Sequence, residues 1–306
     1  MKKTSIVLLA GLMFLMASVA TSYAGPWTLA QGKIWTEIFT RYTYSNHCFD
    51  SKGNLSRWEG NGFQEVWDLE AKVEYGLFDK FNVLLYVPYT WNTWKEDQVI
   101  SGGKDELKNE GFKEIQIGGK YKFLDNPVVA AVQLKAFIDL NSDRNKEPKL
   151  SNYGNALELR GLVGKSFTLA DWPCYASIES GIKFPQKRWG ERSLYATTIP
   201  VFGEFGFSPH DRVMIKNEID CSISVPGTGR VKDTYTWRIG PIFSLLGQGF
   251  SSIFRGDEYS LNLELQYGWT FAGRSDPDIQ KDPSYPNRDD RIGSSHEVIA
   301  KVQLLY

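Results

Sequence analysis

A repeated alternation of apolar and polar residues is the feature that most limits how this chain can fold. In residues 63–75, FQEVWDLEAKVEY, the apolar and aromatic side chains fall mainly at odd positions and the charged ones at even positions. After the turn-like GLFDK, residues 81–91 (FNVLLYVPYTW) repeat the pattern. A period of two places successive side chains on opposite faces of a strand. The stretch 63–94 therefore predicts a β-hairpin whose apolar face meets either a protein core or lipid.

The same alternation recurs along the rest of the chain and predicts twelve strands. Their approximate bounds are 33–44, 63–76, 81–94, 112–123, 128–140, 153–167, 174–184, 194–207, 212–225, 234–246, 259–271 and 296–306. Long connections (45–61, 95–110, 141–152, 185–192, 226–233 and 273–293) alternate with short ones (77–80, 124–127, 168–173 and 208–211), with 247–258 as the exception. This pattern is typical of outer-membrane barrels. We expect an all-β fold, a closed antiparallel transmembrane β-barrel of about 12 strands with both termini in the periplasm.

The placement of aromatic residues supports lipid on the apolar face. The chain contains 10 Trp, 15 Tyr and 18 Phe. On the predicted apolar faces these residues gather at the strand ends, while Val, Leu, Ile, Ala and Gly occupy the middle. Two membrane–water interfaces select such a double girdle, whereas the core of a soluble β-sandwich has no reason to sort aromatic residues to both ends.

Some residues fit a barrel less well. Pro88, Pro200 and Pro241 fall inside predicted strands, and a closed sheet has no free edge, so bulges or strand ends are expected to absorb them. Asn217 falls on the predicted lipid face. The alternative strand counts differ from twelve by two, and the ambiguity lies around the first and eighth strands.

The N-terminus has the pattern of a secretory signal peptide. A basic MKK precedes the apolar run SIVLLAGLMFLMASVA, and Ser22-Tyr23-Ala24 offers small residues for cleavage. We expect residues 1–24 to be a signal peptide and residues 25–306 to form the barrel domain; a membrane-anchor helix is the alternative interpretation. The expected location is the outer membrane of a Gram-negative bacterium.

Catalytic and metal-binding patterns are weak. Cys48, Cys174 and Cys221 show no spacing pattern, although a disulfide between two of them is an alternative that the sequence allows. His47 beside Cys48 gives too few ligands for a metal, and a plain loop is expected there. His296, near Ser294 and Ser295, faces the predicted lipid side. We therefore expect no enzyme activity, no cofactor and no bound metal.

Two stretches resemble a known family. They are residues 74–91, EYGLFDKFNVLLYVPYTW, and residues 111–127, GFKEIQIGGKYKFLDNP, whose glycine-led strand carries Gly111, Glu114 and Lys120. In both, the chain resembles bacterial outer-membrane barrels named after the meta-pathway of phenol degradation. The resemblance implies a transporter for aromatic compounds.

Charged residues on the polar faces would line the lumen. The candidates are Glu37, Arg41, Asp68, Glu70, Lys72, Glu74, Glu114, Lys120, Lys135, Glu158, Arg160, Glu179, Lys183, Lys216, Glu218, Asp220, Arg238, Glu264 and Lys301. Asp139, Glu204 and Glu297 share these faces. Because acids and bases interleave, the set predicts either a hydrated pore of mixed charge or a network of ion pairs that stiffens a narrow barrel. The ladder Asp68 to Glu74 is the densest candidate for pore lining.

The predicted function is passive passage of small molecules, with aromatic or hydrophobic compounds suggested by the resemblance. The expected partners are outer-membrane lipid, small-molecule solutes and, through the C-terminal strand, the barrel-assembly machinery. A net charge of −1 gives no basis for a nucleic-acid partner. Two alternatives stay open: an outer-membrane hydrolase acting on lipid or peptide, and a structural or surface-recognition barrel whose loops at 45–61 and 273–293 bind a partner.

Overall fold

The computed structural model describes most of the predicted barrel domain. The described residues are 25–58, 62–95, 106–140, 148, 150, 154–186, 196–228, 231–246, 250, 260–275 and 292–306. The predicted signal peptide at 1–24, and most of the predicted connections 247–258 and 273–293, lie outside them. Within the described part of the chain, no helix combines the length and apolar character that crossing a membrane requires.

In these ranges, fourteen strands form one antiparallel sheet. They are β1 (Ile34–Phe49), β2 (Leu55–Arg57), β3 (Phe63–Phe78), β4 (Phe81–Lys95), β5 (Glu106–Phe112), β6 (Glu114–Leu124), β7 (Val129–Asp139), β8 (Ala156–Leu169), β9 (Trp172–Pro185), β10 (Thr198–His210), β11 (Val213–Ser224), β12 (Lys232–Leu246), β13 (Ser260–Ser275) and β14 (Ile292–Leu305).

The sheet closes on itself as a barrel of twelve strands. Each strand pairs with its neighbour in sequence, and β14 returns to pair with β1 from Trp35↔Leu305 to Phe49↔Ile292. Two of the fourteen strands do not add a position to the strand order around the barrel. Strand β2 pairs antiparallel with the last residues of β1 (His47↔Arg57 to Phe49↔Leu55), beyond the start of β3, and β5 and β6 together form one interrupted strand beside β4. The predicted all-β closed antiparallel barrel of twelve strands is therefore confirmed, and the periplasmic position of the termini stays a prediction.

A bulge separates β5 from β6. Tyr89 of β4 pairs with Phe112 and Tyr86 pairs with Gln116, so four steps on one strand oppose three on the other. The extra residue reverses which parity faces the lumen: Asn109 in β5 is buried inside, whereas in β6 the even positions point inward. Alternation does not run unbroken through such a bulge.

The barrel has two distinct ends. The terminal end is where Ile34 and Tyr306 exchange backbone hydrogen bonds of 2.8 Å, and the loop end is opposite. At the loop end the strands are longer than predicted: β1 runs to Phe49, and β2 and β5 lie within stretches predicted as loops. The prediction was wrong there because strand segments with water on both sides need no apolar alternation.

Each of the three prolines pairs with one neighbouring strand and is skipped in the pairing with the other. Pro88 pairs with β3, and its other neighbour is the bulge between β5 and β6. Pro200 pairs with β11 while the pairing to β9 skips it, and Pro241 pairs with β11 while the pairing to β13 skips it. Only Pro88 meets a bulge, as predicted. Pro200 is the third residue of β10 and so lies near a strand end, as predicted, whereas Pro241 lies inside β12, where a residue without an N–H can still pair on its carbonyl side.

The outer surface is apolar with aromatic residues near both ends. Trp67, which is 50% exposed, packs against Tyr42 at 4.7 Å between ring centroids in the loop-end girdle. At the terminal end, Trp172 stacks on Phe207 at 5.7 Å. Exposed aliphatic residues such as Leu134 lie between the girdles. An apolar outside and a charged inside give a barrel whose natural solvent is lipid.

The turn between β8 and β9 stores a small strain. Its central residues Ala170 and Asp171 have positive φ angles of 47° and 67°, the geometry of a two-residue type I′ hairpin. An L-residue other than Asn, Asp or Gly occupies this region at a cost of about 1 kcal/mol. We expect Ala170→Asn to raise the free energy of unfolding by roughly 0.5–1 kcal/mol. Urea unfolding of the folded barrel measures it, and a loss of stability would contradict the turn assignment.

Candidate functional site

A cavity of about 460 Å³ occupies the middle of the lumen. All the predicted lumen residues line it except Asp68, Glu114 and Glu264, which are buried in the wall around it. Of the three other residues predicted to face inward, Glu204 lines the cavity, Glu297 is buried, and Asp139 is half-buried and lies outside the lining. The structure thus brings the predicted charges together in one chamber; their part in solute passage stays a prediction.

Most of these charges are joined in ion pairs across strands. On the wall formed by β1 and β3, Arg41 contacts both Asp68 (3.3 Å) and Glu70, and Lys72 donates to Glu37 at 3.0 Å. On the opposite wall, Glu158 of β8 accepts from Lys135 at 2.8 Å and from Arg160 at 2.6 Å, and Arg160 reaches Glu179 at 3.3 Å. Both walls are therefore cross-linked by charge-assisted hydrogen bonds.

A third group surrounds Lys216, which is among the most deeply buried side chains. Its Nζ lies 2.6 Å from Glu264, 2.7 Å from Glu218 and 3.7 Å from Glu204. Lys301 Nζ adds a contact of 3.2 Å to Glu264. This group is rich in acid, so its cations hold together carboxylates that would otherwise repel one another.

Only a few charges are open to the cavity. The side chains of Lys72 and Asp220 are 41% and 49% exposed, whereas those of Asp68, Glu70 and Glu74 are nearly buried. Of the ladder predicted as the densest pore lining, Lys72 alone is substantially solvated. The three acids Asp68, Glu70 and Glu74 instead bind cations from neighbouring strands, with Lys113 2.6 Å from Asp68.

Sequence reasoning missed two kinds of inward-facing residue. The first is Lys113, whose parity predicted the outer face; it lies at the bulge between β5 and β6 and reaches inward. The second is a set of aromatic rings, including Tyr86, Phe137 and Phe202. Lys183 Nζ lies 3.5 Å from the centroid of the Phe137 ring, a cation–π contact. In each strand, the ring stands at a position of the same parity, odd or even, as the inward-facing polar residues. This shared parity could have placed the rings on the inner face.

The segment before β1 runs through the lumen instead of away from it. The amide of Gly32 donates to the Gly76 carbonyl at 2.8 Å, and Leu29 is buried against Trp35. On the far side of the barrel, a Cβ added to Gly164 of β8 would lie 2.8 Å from the Trp27 ring. Residues 25–31, the plug segment, therefore cross from the β1–β3 wall to the β8–β9 wall. No sequence pattern predicted this.

Apolar contacts fix the plug segment at the terminal end. Trp27 meets Tyr175 edge-on, with 5.9 Å between ring centroids, and Tyr175 belongs to a buried cluster with Met214, Ile242 and Phe250. Lys120 Nζ donates to the carbonyl of Gly25 at 3.2 Å. The terminal end of the lumen is thus filled by side chains and backbone, while the central chamber above it is lined by charges.

The other singled-out histidines and cysteines lie in the barrel strands. His47 and Cys48 lie in strand β1, so the predicted loop was wrong there; His47 Nδ1 contacts the neighbouring Asn46. All three cysteines are free. His296 is exposed, as its register predicted, and its Nδ1 contacts the Tyr267 hydroxyl. In the described ranges, no group of three His, Cys, Asp or Glu residues could hold a metal ion.

Comparison with known proteins gives a fold. No family model matches the sequence, and neither does any curated protein. The structure is similar to an outer membrane channel from Pseudomonas putida F1, with a TM-score of 0.63 and 9% identity over 94% of this chain and 100% of that one. The translocator domain of the autotransporter NalP from Neisseria meningitidis has a TM-score of 0.43 at 9% identity, covering 99% of this chain and 94% of that one.

A FadL homologue from Pseudomonas aeruginosa has a TM-score of 0.37 at 9% identity, with 90% of each chain covered. At such identities the likeness shows a shared barrel architecture only. The resemblance to the meta-pathway family, carried by residues 74–91 and 111–127, is therefore not confirmed by these comparisons.

Proposed function

We propose that this chain is an outer-membrane channel through which small molecules pass. The observation that carries the proposal is the chamber of about 460 Å³ inside a closed barrel with an apolar, aromatic-girdled outside. A twelve-stranded barrel is wider than an eight-stranded one, whose interior side chains fill it, and narrower than an open porin. The proposal includes export through cleavage after residue 24, termini in the periplasm and assembly through the C-terminal strand β14. It does not include catalysis.

The solute class that fits the chamber best is small aromatic compounds. Inward-facing rings, among them Phe39, Tyr86, Phe137 and Phe202, offer faces for stacking between the charged groups. The sequence resemblance suggests the same class. Liposome swelling with the refolded barrel tests it: phenol-sized solutes are expected to enter faster than sugars of similar size, and a barrel that admits neither would overturn the channel proposal.

The plug segment makes passage conditional. It occupies the terminal end, so a solute that enters the chamber from the loop end must displace residues 25–31 or their contacts to leave. This arrangement would give small conductance in the resting barrel.

The two open charges predict opposite shifts in ion selectivity. Lys72→Gln removes a solvated cation and its ion pair with Glu37. Asp220→Asn removes a solvated anion, and Arg238 keeps its ion pair with Glu297. A unit charge about 8 Å from a passing ion in water contributes roughly 0.5 kcal/mol, or about a twofold change in relative permeability. We expect the Lys72 variant to favour cations and the Asp220 variant to favour anions. Reversal potentials in a salt gradient measure this, and shifts of the same sign would contradict a path through the chamber.

A further inference from the structure

The innermost residue of the plug segment is Gly25. It is buried, it lines the central chamber, and its carbonyl accepts a hydrogen bond from Lys120. A Cβ built on it would lie 3.1 Å from the Cβ of Ser177 on β9. Because a residue's nitrogen lies about 2.5 Å from its own Cβ, the nitrogen of Gly25 is close to this part of the wall.

Two hydrogen-bond acceptors stand side by side at that place. Ser177 pairs directly with Glu204 of β10, and directly paired residues have Cβ atoms about 5 Å apart. Glu204 is 5% exposed, yet neither of its carboxylate oxygens, nor the Ser177 hydroxyl, has a hydrogen-bond partner of good geometry among the described residues. The Tyr175 hydroxyl approaches Glu204 but carries no charge, and Lys216, at 3.7 Å, is much closer to two other carboxylates. A buried acid in this state is costly unless a charged donor reaches it.

We infer that Glu204 and Ser177 form the receiving site for the α-ammonium group of Gly25, which cleavage after Ala24 produces. Hydrolysis adds water across the Ala24–Gly25 amide; it leaves a carboxylate on Ala24 and an amine on Gly25 that takes up a proton at neutral pH. An ammonium group carries three N–H donors and one positive charge. The Glu204 carboxylate supplies the opposite charge, and the Ser177 hydroxyl supplies a second acceptor.

The site makes obstruction of the lumen by the plug segment depend on removal of the signal peptide. Before cleavage, the nitrogen of Gly25 is an amide with one N–H and no charge, so it cannot neutralise Glu204. After cleavage, the ammonium adds a charged contact to Glu204 on the far wall, and this contact holds the plug segment across the lumen. This inference rests on the proposed cleavage after residue 24 and goes beyond the proposed channel function, because the segment is held whether or not a solute passes.

Amine labelling of the folded barrel tests the inference without measuring transport. The purified mature protein in detergent is treated with an acetylating N-hydroxysuccinimide ester at neutral pH, and the N-terminal peptide is quantified by mass spectrometry. We expect the Gly25 amine to react at least about tenfold more slowly in the wild type than in Glu204→Gln or in the denatured wild type. Glu65→Gln, the same change on the outer-facing side of β3, is expected to keep the slow rate.

A second variant keeps the test decisive if the Glu204→Gln chain fails to fold. Two alanines placed before Gly25 in the refolded mature chain move the ammonium away from the site, so the new terminus should react fast and independently of Glu204. Three results would overturn the inference: a wild-type rate equal to that of denatured protein, folded Glu204→Gln labelled as slowly as wild type, or a membrane-purified chain that starts elsewhere than Gly25.

Discussion

Replacing Lys216 with methionine should lower the free energy of unfolding by about 3–5 kcal/mol, the cost typical of breaking a buried ion pair by removing one partner. Lys216 lies within 2.7 Å of both Glu218 and Glu264 and 3.7 Å from Glu204, all of them buried. Methionine fills similar space but leaves Glu218 and Glu264 with the longer contacts of Lys301, at 3.8 and 3.2 Å, and of Arg238, at 3.8 Å from Glu218. Urea titration of the barrel in lipid vesicles, followed by tryptophan fluorescence, measures the loss.

A matched lysine separates this effect from loss of charge in general. Lys108 pairs with Glu106 at 3.0 Å, but the two side chains are well exposed, so Lys108→Met should cost less than about 1 kcal/mol. Adding Glu264→Gln to Lys216→Met should restore part of the stability because it removes one uncompensated acid. If Lys216→Met and Lys108→Met destabilise equally, the acid-rich group does not stabilise the barrel in the way the geometry indicates.

Deleting residues 25–30 should increase single-channel conductance severalfold in planar bilayers. The deletion removes the segment that spans the lumen between Leu29, packed near Trp35, and Trp27, packed on Tyr175. The chamber would then connect to the terminal end, where, among the described residues, wall side chains and Phe250 remain. Heat-modifiable migration on a gel confirms that the variant is folded before its conductance is compared.

A point substitution tests the same segment without shortening the chain. A Cβ on Gly76 would lie 2.2 Å from the carbonyl oxygen of Ala30, a backbone atom that cannot move aside alone. Gly76→Val should therefore push the segment from the β3 wall and raise conductance. Gly203→Ala, where an added Cβ meets nothing within 4 Å, should leave conductance unchanged. Wild-type conductance in both the deletion and Gly76→Val would show that the segment does not limit passage.

Transport predictions and the labelling experiment can fail separately. A barrel that conducts nothing would remove the channel proposal but leave the Gly25 amine protected by Glu204. Conversely, a freely labelled terminus in a conducting barrel would keep the channel and remove the receiving site. Together with the selectivity shifts at Lys72 and Asp220, the measurements decide between a filled barrel and a gated one.

Alternation along the sequence is enough to define the twelve barrel strands and their two faces. Lipid accepts only apolar side chains on the outer face, so each strand within the membrane must alternate, and the alternation is a local property of the sequence. For the same reason, parity alone assigns the charged residues from Glu37 to Lys301 to the inside. The pattern ends where lipid ends, which is why β2, β5 and the end of β1 were predicted as loops.

Which charges meet, and what fills the lumen, depends on the closed barrel. Arg238 and Glu297 are far apart in sequence yet 2.7 Å apart in space, because barrel closure and strand register choose the partners. One extra residue at the bulge turns Lys113 inward to Asp68, against its parity. The plug segment has no alternation of its own, so only the shape of the closed barrel, with Gly76 and Gly164 leaving room, shows that residues 25–31 lie inside it.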